Sequence, residues 1–375
     1  MKNYKEHIIT IGHFAWSRAL LLQILLQDSG IDCFIVSKDA VLTQGFVDLR
    51  VNEADTEKAI RIIETSVADI GTAKESAFIR LQSIRRILVP VDFSEISFNA
   101  CRFATSVAGK YKAEVKLLHV YYNPAMDISP YADHYSYQIK LSESLREIEK
   151  SARENMLKLE TKLKTWCNKE NLSKVHVSTK LVNGFNSEEI LYYSLKYHPA
   201  IIIMGTRGLT RDNYKAFGHV TSRVIEQSKI PVLALPSGSV KSVHEIKNIL
   251  YATDFDPSDY SAINKLIQML NPFGIVLHCV HVSFVNKKPW ENLKMKELKE
   301  HLINQYVGVG LHFEHIATDN ILNGLETYIR DHTIDALAVT THKRNLLEKL
   351  FLPSMTRKIF SETGKPLLIF HSKEK

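Results

Sequence analysis

Residues 201–236 read IIIMGTRGLTRDNYKAFGHVTSRVIEQSKIPVLALP, and this stretch decides the fold. Its apolar run at 201–204 predicts a buried strand, which ends in the turn GTRG. After a polar and aromatic insert come Gly218 and His219, then a helix over VTSRVIEQS, and then a second buried strand at 232–235. Glycines between a strand and a helix N-terminus let backbone N–H groups approach an anion closely. The stretch therefore predicts a phosphate-binding loop.

Upstream of this stretch the sequence alternates strands with helices. The predicted strands are 87–91, 115–120 and 176–181, and the predicted helices are 97–111, 141–168 and 186–197, with a tyrosine-rich loop at 121–140. Five strands with four helices between them predict a doubly wound, open parallel sheet. In such sheets ligands bind beyond the carboxyl ends of the strands, where the strand order reverses. Asp92, Val120 and Gly205 all lie at such ends.

The same pattern begins again after a linker at 237–245. KNILYATDFDPSDYSA repeats RRILVPVDFSEISFNA and places Asp254 on Asp92, HCVHV repeats the second strand, and DALAVTTHK to KPLLIF repeats the opening stretch. Aligned on Pro366 and Pro231 without gaps, the second copy lacks the loop glycines: Thr340 stands on Gly205, Lys343 on Gly208, Pro353 on Gly218 and Ser354 on His219. One α/β domain is therefore present twice, which is a domain duplication and not a solenoid of short repeats.

Composition limits the class of protein. With 375 residues, the chain is expected to form two or three domains at roughly 100–200 residues each. Hydrophobic residues make up 45% and charged residues 24%, which is typical of a folded soluble protein rather than a disordered one. The net charge of +7 is spread along the sequence without a long basic block. We therefore expect a solvated basic surface and no nucleic-acid partner.

Cysteine usage and hydropathy bear on the compartment. The four cysteines stand alone, without a CxxC pair or a histidine at zinc spacing. We expect buried thiols in a reducing compartment and predict no metal-ligating residues. No apolar run approaches the ~20 residues that span a bilayer, and the start of the sequence has no cleavable leader pattern. We expect a cytoplasmic protein without a membrane partner.

Residues 1–76 predict a separate small domain. The predicted elements, in chain order, are 7–11, 16–28, 31–36, 46–51 and 54–63, with Gly30 ending the first helix. The order β-α-β-β-α is typical of an α+β module with an antiparallel sheet. The segments SGIDCFI, FVDLRV and DTEKAIRII resemble those of a small family of prokaryotic signal-transducing domains. Nothing in this region predicts catalysis.

Together the repeated motifs resemble a tandem universal stress protein (UspA-like). The resemblance rests on ILVPVDFS, the G-x-x-G-x9-G loop and the PVL strand, in that order, and on ATDFDPSD, TTHK, SMT and GKPLL in the second copy. It covers residues 85–371. It implies two doubly wound five-stranded parallel-sheet domains of the adenine nucleotide alpha hydrolase type, at 85–237 and 246–372, behind the small α+β domain.

In members of this family that bind ATP, adenine and ribose lie against the first and second strand ends, and the phosphates lie in the glycine loop. The resemblance implies an adenine nucleotide in the first copy, ATP or else AMP or ADP, with Mg²⁺ as an accompanying ion. The implied contact residues are Pro90, Val91, Asp92, Val120, Met204, Gly205, Gly208, Gly218, His219, Val220 and Thr221, the last four through backbone N–H groups. His219 departs from the family, which usually has Ser or Thr there, although an imidazole can still donate one hydrogen bond.

The second copy departs further from the family. Lys343 and Pro353 stand where the backbone must approach phosphate, and proline has no N–H. We expect no nucleotide there. Family members often pair through their last strands, so the resemblance implies an internal pair of VLALP against LLIFH, in which the second copy is the partner of the first. A homodimer is a further possible assembly.

Catalysis has little support in the sequence. There is no GxxxxGK[ST] loop and no Ser-His-Asp set in a recognisable context. Asp92 can contact Mg²⁺ or a ribose hydroxyl, and a carboxylate that orients the adenosine is favoured over a catalytic base. His119, His278 and His281 lie inside strand patterns and are expected to be histidines with satisfied hydrogen bonds. Three functions stay open: a nucleotide-responsive regulator in the stress response, a ligand-free interaction module, and a slow ATPase.

Overall fold

A computed structural model of the protein describes residues 8–15, 29–36, 46–70, 84–122, 134–206, 217–284, 289–306, 309–341 and 364–371, with positions 19, 22, 23 and 25–27. The chain divides into two compact units, residues 1–83 with 300–307 and residues 84–299 with 308–375. We call the first the N-terminal unit. The second unit contains what we call the first domain (84–236) and, apart from residues 300–307, the second domain (245–371).

The N-terminal unit contains a three-stranded antiparallel sheet. Its elements are β1 (Ile8–Ala15), β2 (Cys33–Val36), β3 (Phe46–Asn52) and helix α1 (Thr56–Ile70), with the strands in the order β1-β3-β2. Leu22, Leu26, Leu49 and Val51 share one buried cluster. Gly30 has φ +77°, in the left-handed region that glycine enters without strain. The predicted α+β module with an antiparallel sheet is confirmed.

The first domain is a doubly wound α/β domain. Its strands are β4 (Arg86–Pro90), β5 (Glu114–Tyr121), β6 (His176–Asn183), β7 (Ile201–Gly205) and β8 (Val232–Leu235), and its helices are α2 (Glu95–Tyr111), α3 (His134–Lys169), α4 (Asn186–Tyr197) and α5 (His219–Gln227). The loop predicted to reach residue 140 is wrong in its last part, because α3 begins at His134. The tyrosines suggested a loop, but no glycine or proline occurs between Pro130 and the end of α3, so nothing stops the helix from extending.

The second domain repeats this architecture. Its strands are β9 (Asn248–Ala252), β10 (Val276–Phe284), β11 (Leu311–Thr318), β12 (Ala336–Thr341) and β13 (Leu367–His371), and its described helices are α6 (Pro257–Leu270), α7 (Pro289–Gln305) and α8 (Ile321–Asp331). Among the helices that the structure describes, none is long and apolar enough to cross a lipid bilayer.

The ten strands of the two domains form one sheet. Their order is β11-β10-β9-β12-β13-β8-β7-β4-β5-β6, so each domain contributes five parallel strands. The strand order reverses between β4 and β7 in the first domain and between β9 and β12 in the second. The predicted doubly wound fold, present twice, is confirmed.

The two domains join through their last strands. Strand β8 pairs antiparallel with β13, with Leu233 opposite Leu368 and Val232 opposite Ile369, and all four side chains are buried. His371, at the end of β13, places Nε2 2.6 Å from Ile225 O on α5. The predicted internal pair of VLALP against LLIFH is therefore confirmed.

The linker between the domains is held against the first domain. Val243 is buried, and its N–H donates to Ser106 Oγ on α2 at 3.0 Å. Asn99, also on α2, donates from Nδ2 to Val240 O at 3.1 Å. From the end of the same helix, the Tyr111 hydroxyl donates to Met269 O on α6 at 2.8 Å. Helix α2 thus fixes both the linker and the second domain.

This arrangement predicts that the ten-stranded sheet unfolds as one cooperative unit. Leu88 on β4 and Leu250 on β9 occupy equivalent positions, and both are buried. We expect Leu88→Ala and Leu250→Ala each to lower the stability of the same transition by about 2–5 kcal/mol, as buried leucines do when truncated. Urea unfolding followed by circular dichroism measures the change. Two transitions from the sheet, with each variant shifting only one of them, would contradict the prediction.

Candidate functional site

The candidate site lies where the strand order of the first domain reverses, between β4 and β7. Pro90 ends β4, Val120 lies one residue before the end of β5, and Met204–Gly205 ends β7. Val91 extends the β4 backbone, and its N–H donates to a β5 carbonyl at 2.8 Å. Because these strands are parallel, their carboxyl ends meet at one edge of the sheet. The structure therefore brings these predicted residues together.

Asp92 holds a tight turn between β4 and α2. Its Oδ1 accepts hydrogen bonds from Ser94 N–H at 3.1 Å and from the Ser94 hydroxyl at 2.6 Å. Phe93 between them has φ +67°, which a side-chain-bearing residue adopts only when its surroundings hold it there. Ser94 Oγ in turn accepts the Ser97 N–H at 3.1 Å and so caps α2. One carboxylate oxygen of Asp92 is thus engaged in shaping the strand end.

His119 ties the second strand to this turn. Its Nδ1 lies 2.8 Å from Val91 O, which requires that Nδ1 carry the proton and donate it. Its ring centroid lies 4.2 Å from that of Phe93. Burial lowers the pKa of His119, although the bond to Val91 O and the charge of Asp92 oppose this effect. The imidazole is therefore neutral at physiological pH, as expected for a histidine with a positioning role.

Helix α5 points its N-terminus at the end of β7. Gly218 is the N-cap with φ −65° and ψ 161°, and no side chain caps the helix. The Gly218 N–H donates to Thr206 O at 2.7 Å, and the Thr221 hydroxyl donates to Gly205 O at 2.9 Å. Gly218 N–H is therefore already used within the loop. The backbone N–H groups of His219, Val220 and Thr221 are those that an α-helix leaves without a partner in its first turn.

Part of the predicted site lies outside the described residues. Gly208 falls within 207–216, and the second-copy positions Lys343, Pro353 and Ser354 fall within 342–363. His219 is exposed and Val220 is partly buried. The close approach of phosphate to Gly208 stays a prediction.

The second domain has the same turn at its equivalent strand end. Phe255 has φ +65°, and its ring centroid lies 4.5 Å from that of His281. His281 Nδ1 lies 2.8 Å from Thr253 O, as His119 Nδ1 does from Val91 O. The framework around the candidate site is thus present twice.

The second domain fills the space behind this turn with polar side chains. Asp259 is buried, and it accepts hydrogen bonds from the Tyr251 hydroxyl at 2.7 Å, the Thr253 hydroxyl at 2.8 Å and the Asp254 N–H at 3.1 Å. The Tyr251 hydroxyl also lies 2.6 Å from Thr340 Oγ1. In the first domain the matching residues are smaller or apolar: Val89 for Tyr251, Val91 for Thr253, Ser97 for Asp259 and Gly205 for Thr340.

Comparison with known families agrees with this duplicated architecture. The universal stress protein family model matches residues 83–236 and again residues 245–371. The chain belongs to the universal stress protein family. The two matches coincide with the first and second domains, so the protein is a tandem universal stress protein. The matches do not include residues 1–82, and the resemblance of that region to signal-transducing domains stays a prediction.

Individual relatives cover one or both domains. Universal stress protein MJ0531 of Methanocaldococcus jannaschii is 28% identical over 154 residues, which are 40% of this chain and 81% of the relative. The crystal structure of a universal stress protein from Archaeoglobus fulgidus covers 78% of this chain and 98% of its own, with 19% identity and a TM-score of 0.54. A universal stress protein solved in complex with cAMP covers 40% of this chain and 94% of its own, with 14% identity and a TM-score of 0.28.

Some residues at the strand ends of this universal stress protein could not be read from the motifs. His119 precedes Val120 in the second strand, and its bond to Val91 O depends on the β4–β5 register. The Tyr251–Asp259 pair depends on the fold, because the position of helix α6 places the Asp259 carboxylate beside the Tyr251 hydroxyl. A signal was present in the comparison of the two copies, where a tyrosine and an aspartate replace Val89 and Ser97.

Asp259 predicts a specific pH dependence of stability. Burial raises the pKa of Asp259 to about 7, while hydrogen-bond donation from Tyr251 opposes this effect. The pKa of Asp259 in the folded state is therefore higher than in the unfolded state. The contribution of Asp259 to stability is fully present when the pH is below the unfolded-state pKa, and it is lost as the pH rises through about 7. We expect the unfolding free energy of the wild type, relative to Asp259→Asn, to fall by roughly 1–3 kcal/mol between pH 4 and 8.

Urea unfolding at a series of pH values measures this difference. A difference between wild type and Asp259→Asn that does not change with pH would show that Asp259 is ionised throughout the range.

Proposed function

We propose that this universal stress protein is a nucleotide-responsive regulator whose first domain binds ATP or another adenine nucleotide. The observation that carries the proposal is the meeting of three strand ends with the uncapped N-terminus of α5 at the point where the strand order reverses. Family membership adds to it, because ATP-binding members hold the nucleotide at this place. We further propose that it acts in the cytoplasm, in the stress response.

The adenosine would lie against β4 and β5. Val91 and Val120 are buried apolar residues at these strand ends, and they suit the face of a base. Asp92 is only partly buried and directly follows Val91 in the sequence, where a carboxylate suits a ribose hydroxyl or an accompanying Mg²⁺. Pro90 would support this side of the pocket, since it ends β4 and is buried.

The phosphates would lie between β7 and α5. Met204 and Gly205 end the strand, and Gly208 would follow in the loop. The N–H groups of His219, Val220 and Thr221 suit an anion because the helix N-terminus carries partial positive charge. Gly218 would instead hold the loop closed through its bond to Thr206 O. The exposed His219 imidazole can add one donor in place of the usual hydroxyl.

A regulatory role is favoured over catalysis. Asp92 Oδ1 already accepts two hydrogen bonds from Ser94, which suits a residue that shapes the site more than one that removes a proton. The second domain pairs with the first through β8 and β13, so a ligand that contacts the end of β7 acts on a strand next to that junction. A ligand-free interaction module and a slow ATPase are the alternatives.

The two domains provide a matched pair of variants. Asp92 Oδ1 and Asp254 Oδ1 each accept a backbone N–H two residues on, at 3.1 and 3.2 Å, and the amide oxygen of asparagine can do the same. We expect Asp92→Asn to weaken ATP binding about 10- to 100-fold, the worth of a hydrogen bond to a charged group. Asp254→Asn should leave the affinity unchanged. Isothermal calorimetry with ATP, ADP, AMP and cAMP, with and without Mg²⁺, makes the comparison.

Gly208→Lys tests the phosphate side of the same site. The side chain would occupy the space that close approach of phosphate requires, so we expect saturable ATP binding to be lost. No saturable binding by the wild type would favour the ligand-free module. Phosphate release above background that vanishes in Asp92→Ala would favour the slow ATPase.

A further inference from the structure

A second cluster of titratable side chains lies in the second domain, apart from the proposed nucleotide site. It consists of His281 on β10, Glu291 in the first turn of α7, and His315 on β11. One ligand atom from each residue lies within 4.8 Å of the other two. His281 stands directly opposite His315 in the register of the two parallel strands. Among the residues that the structure describes, no other group of three His, Cys, Asp or Glu side chains meets this spacing.

His281 presents a buried nitrogen without a partner. The side chain is 9% exposed, and its Nε2 has no hydrogen-bond partner although it is shielded from water. The expectation that the strand histidines are satisfied is therefore wrong for the Nε2 atom of His281, whereas neither His119 nor His278 has a ring nitrogen that is both buried and without a partner. A buried polar atom without a partner costs about 1–3 kcal/mol, so its presence calls for an explanation.

Glu291 lies within reach of both histidines. Its Oε1 is 4.0 Å from His281 Nε2, and its Oε2 is 3.5 Å from His315 Nε2. The glutamate is buried, which is unusual for a carboxylate unless it is paired or coordinates a metal. Ligand atoms at ~2.1 Å from a tetrahedral Zn²⁺ are ~3.4 Å apart, so small side-chain shifts bring this set to coordination distance.

Second contacts orient both imidazoles toward the cluster. His281 Nδ1 donates to Thr253 O at 2.8 Å, and His315 Nδ1 lies 2.8 Å from Asn292 Oδ1, which accepts. Both bonds place the proton on Nδ1 and leave the Nε2 lone pair for a cation. This is the arrangement of metal-ligating histidines, whose other nitrogen donates to a carbonyl or carboxylate. Ser283 Oγ lies 2.8 Å from His315 Nε2, and its hydroxyl turns aside when a cation takes that lone pair.

The first domain shows that the fold does not require this cluster. His119 occupies the position of His281 and makes the same bond from Nδ1, but its partner across the strands is Leu181, where the second domain has His315. The polar pair is therefore particular to the second domain.

We propose that His281, Glu291 and His315 bind a divalent transition-metal cation of the zinc class. Two imidazoles and one carboxylate suit Zn²⁺. They do not suit Ca²⁺ or Mg²⁺, which prefer a set of oxygen ligands. Three protein ligands leave a fourth position for water or for a group from a partner. The site does not depend on nucleotide binding by the first domain.

The test uses the 375-residue chain without a tag. After treatment with EDTA and removal of the chelator, the protein is titrated with Zn²⁺ in competition with a chromophoric chelator. We expect one equivalent of zinc per chain and a higher melting temperature in its presence. Titration with Co²⁺ should give the intense visible absorption of a low-coordinate site.

Three variants locate the ion. His315→Leu replaces the histidine by leucine, the residue at the equivalent position of the first domain. Glu291→Gln keeps the shape of the side chain and removes its negative charge. Loss of an outer-shell partner costs 10- to 100-fold in metal affinity, so we expect loss of either ligand to weaken Zn²⁺ binding by at least ~100-fold. His312→Leu is the control, because His312 is exposed on the same strand and lies outside the cluster.

Two results would overturn the proposal. One is that the wild-type protein does not bind one equivalent of Zn²⁺. The other is that the wild type and Glu291→Gln each bind one equivalent of Zn²⁺ with the same affinity and give the same absorption spectrum with Co²⁺. Should His315→Leu fail to fold, the isosteric Glu291→Gln still decides.

Discussion

The antiparallel pairing of β8 with β13 is the constraint on which the rest of the second unit depends. Either strand alone would be the edge of a five-stranded sheet, with unpaired N–H and C=O groups open to other chains. Their pairing removes both edges and buries Val232, Leu233, Leu368 and Ile369. Because β8 and β13 run in opposite directions, the strands of the first domain and those of the second domain point their carboxyl ends in opposite directions. The proposed nucleotide and metal sites therefore lie at opposite ends of the strands.

Duplication has kept one framework and changed what it holds. In both domains a histidine on the second strand donates from Nδ1 to the backbone of the first, beside a phenylalanine with a left-handed backbone. The side chains behind that framework differ. Val89 and Ser97 are small side chains in the first domain, whereas Tyr251 and Asp259 fill the same positions of the second domain with hydrogen-bonded polar groups. The second domain can thus support the first without binding the same ligand.

Much of this fold could be predicted from the sequence, because buried parallel strands appear as apolar runs and the repeat doubles each signal. The β8–β13 pair followed from the resemblance to universal stress proteins, whose members often pair through their last strands. The start of α3 at His134 could not be predicted from the sequence, since aromatic residues occur in both loops and helices. The bond of Gly218 N–H to Thr206 O depends on the loop conformation. His281, Glu291 and His315 meet only through strand register and the placement of α7, which no motif spacing reveals.

Native mass spectrometry of the purified chain with excess ATP tests the central claim most directly, since it counts nucleotides per chain. Two equivalent folds with one altered loop predict a single adenine nucleotide bound per chain, in the first domain. A chain that carries none at saturating ATP, or one that carries two, would contradict the account.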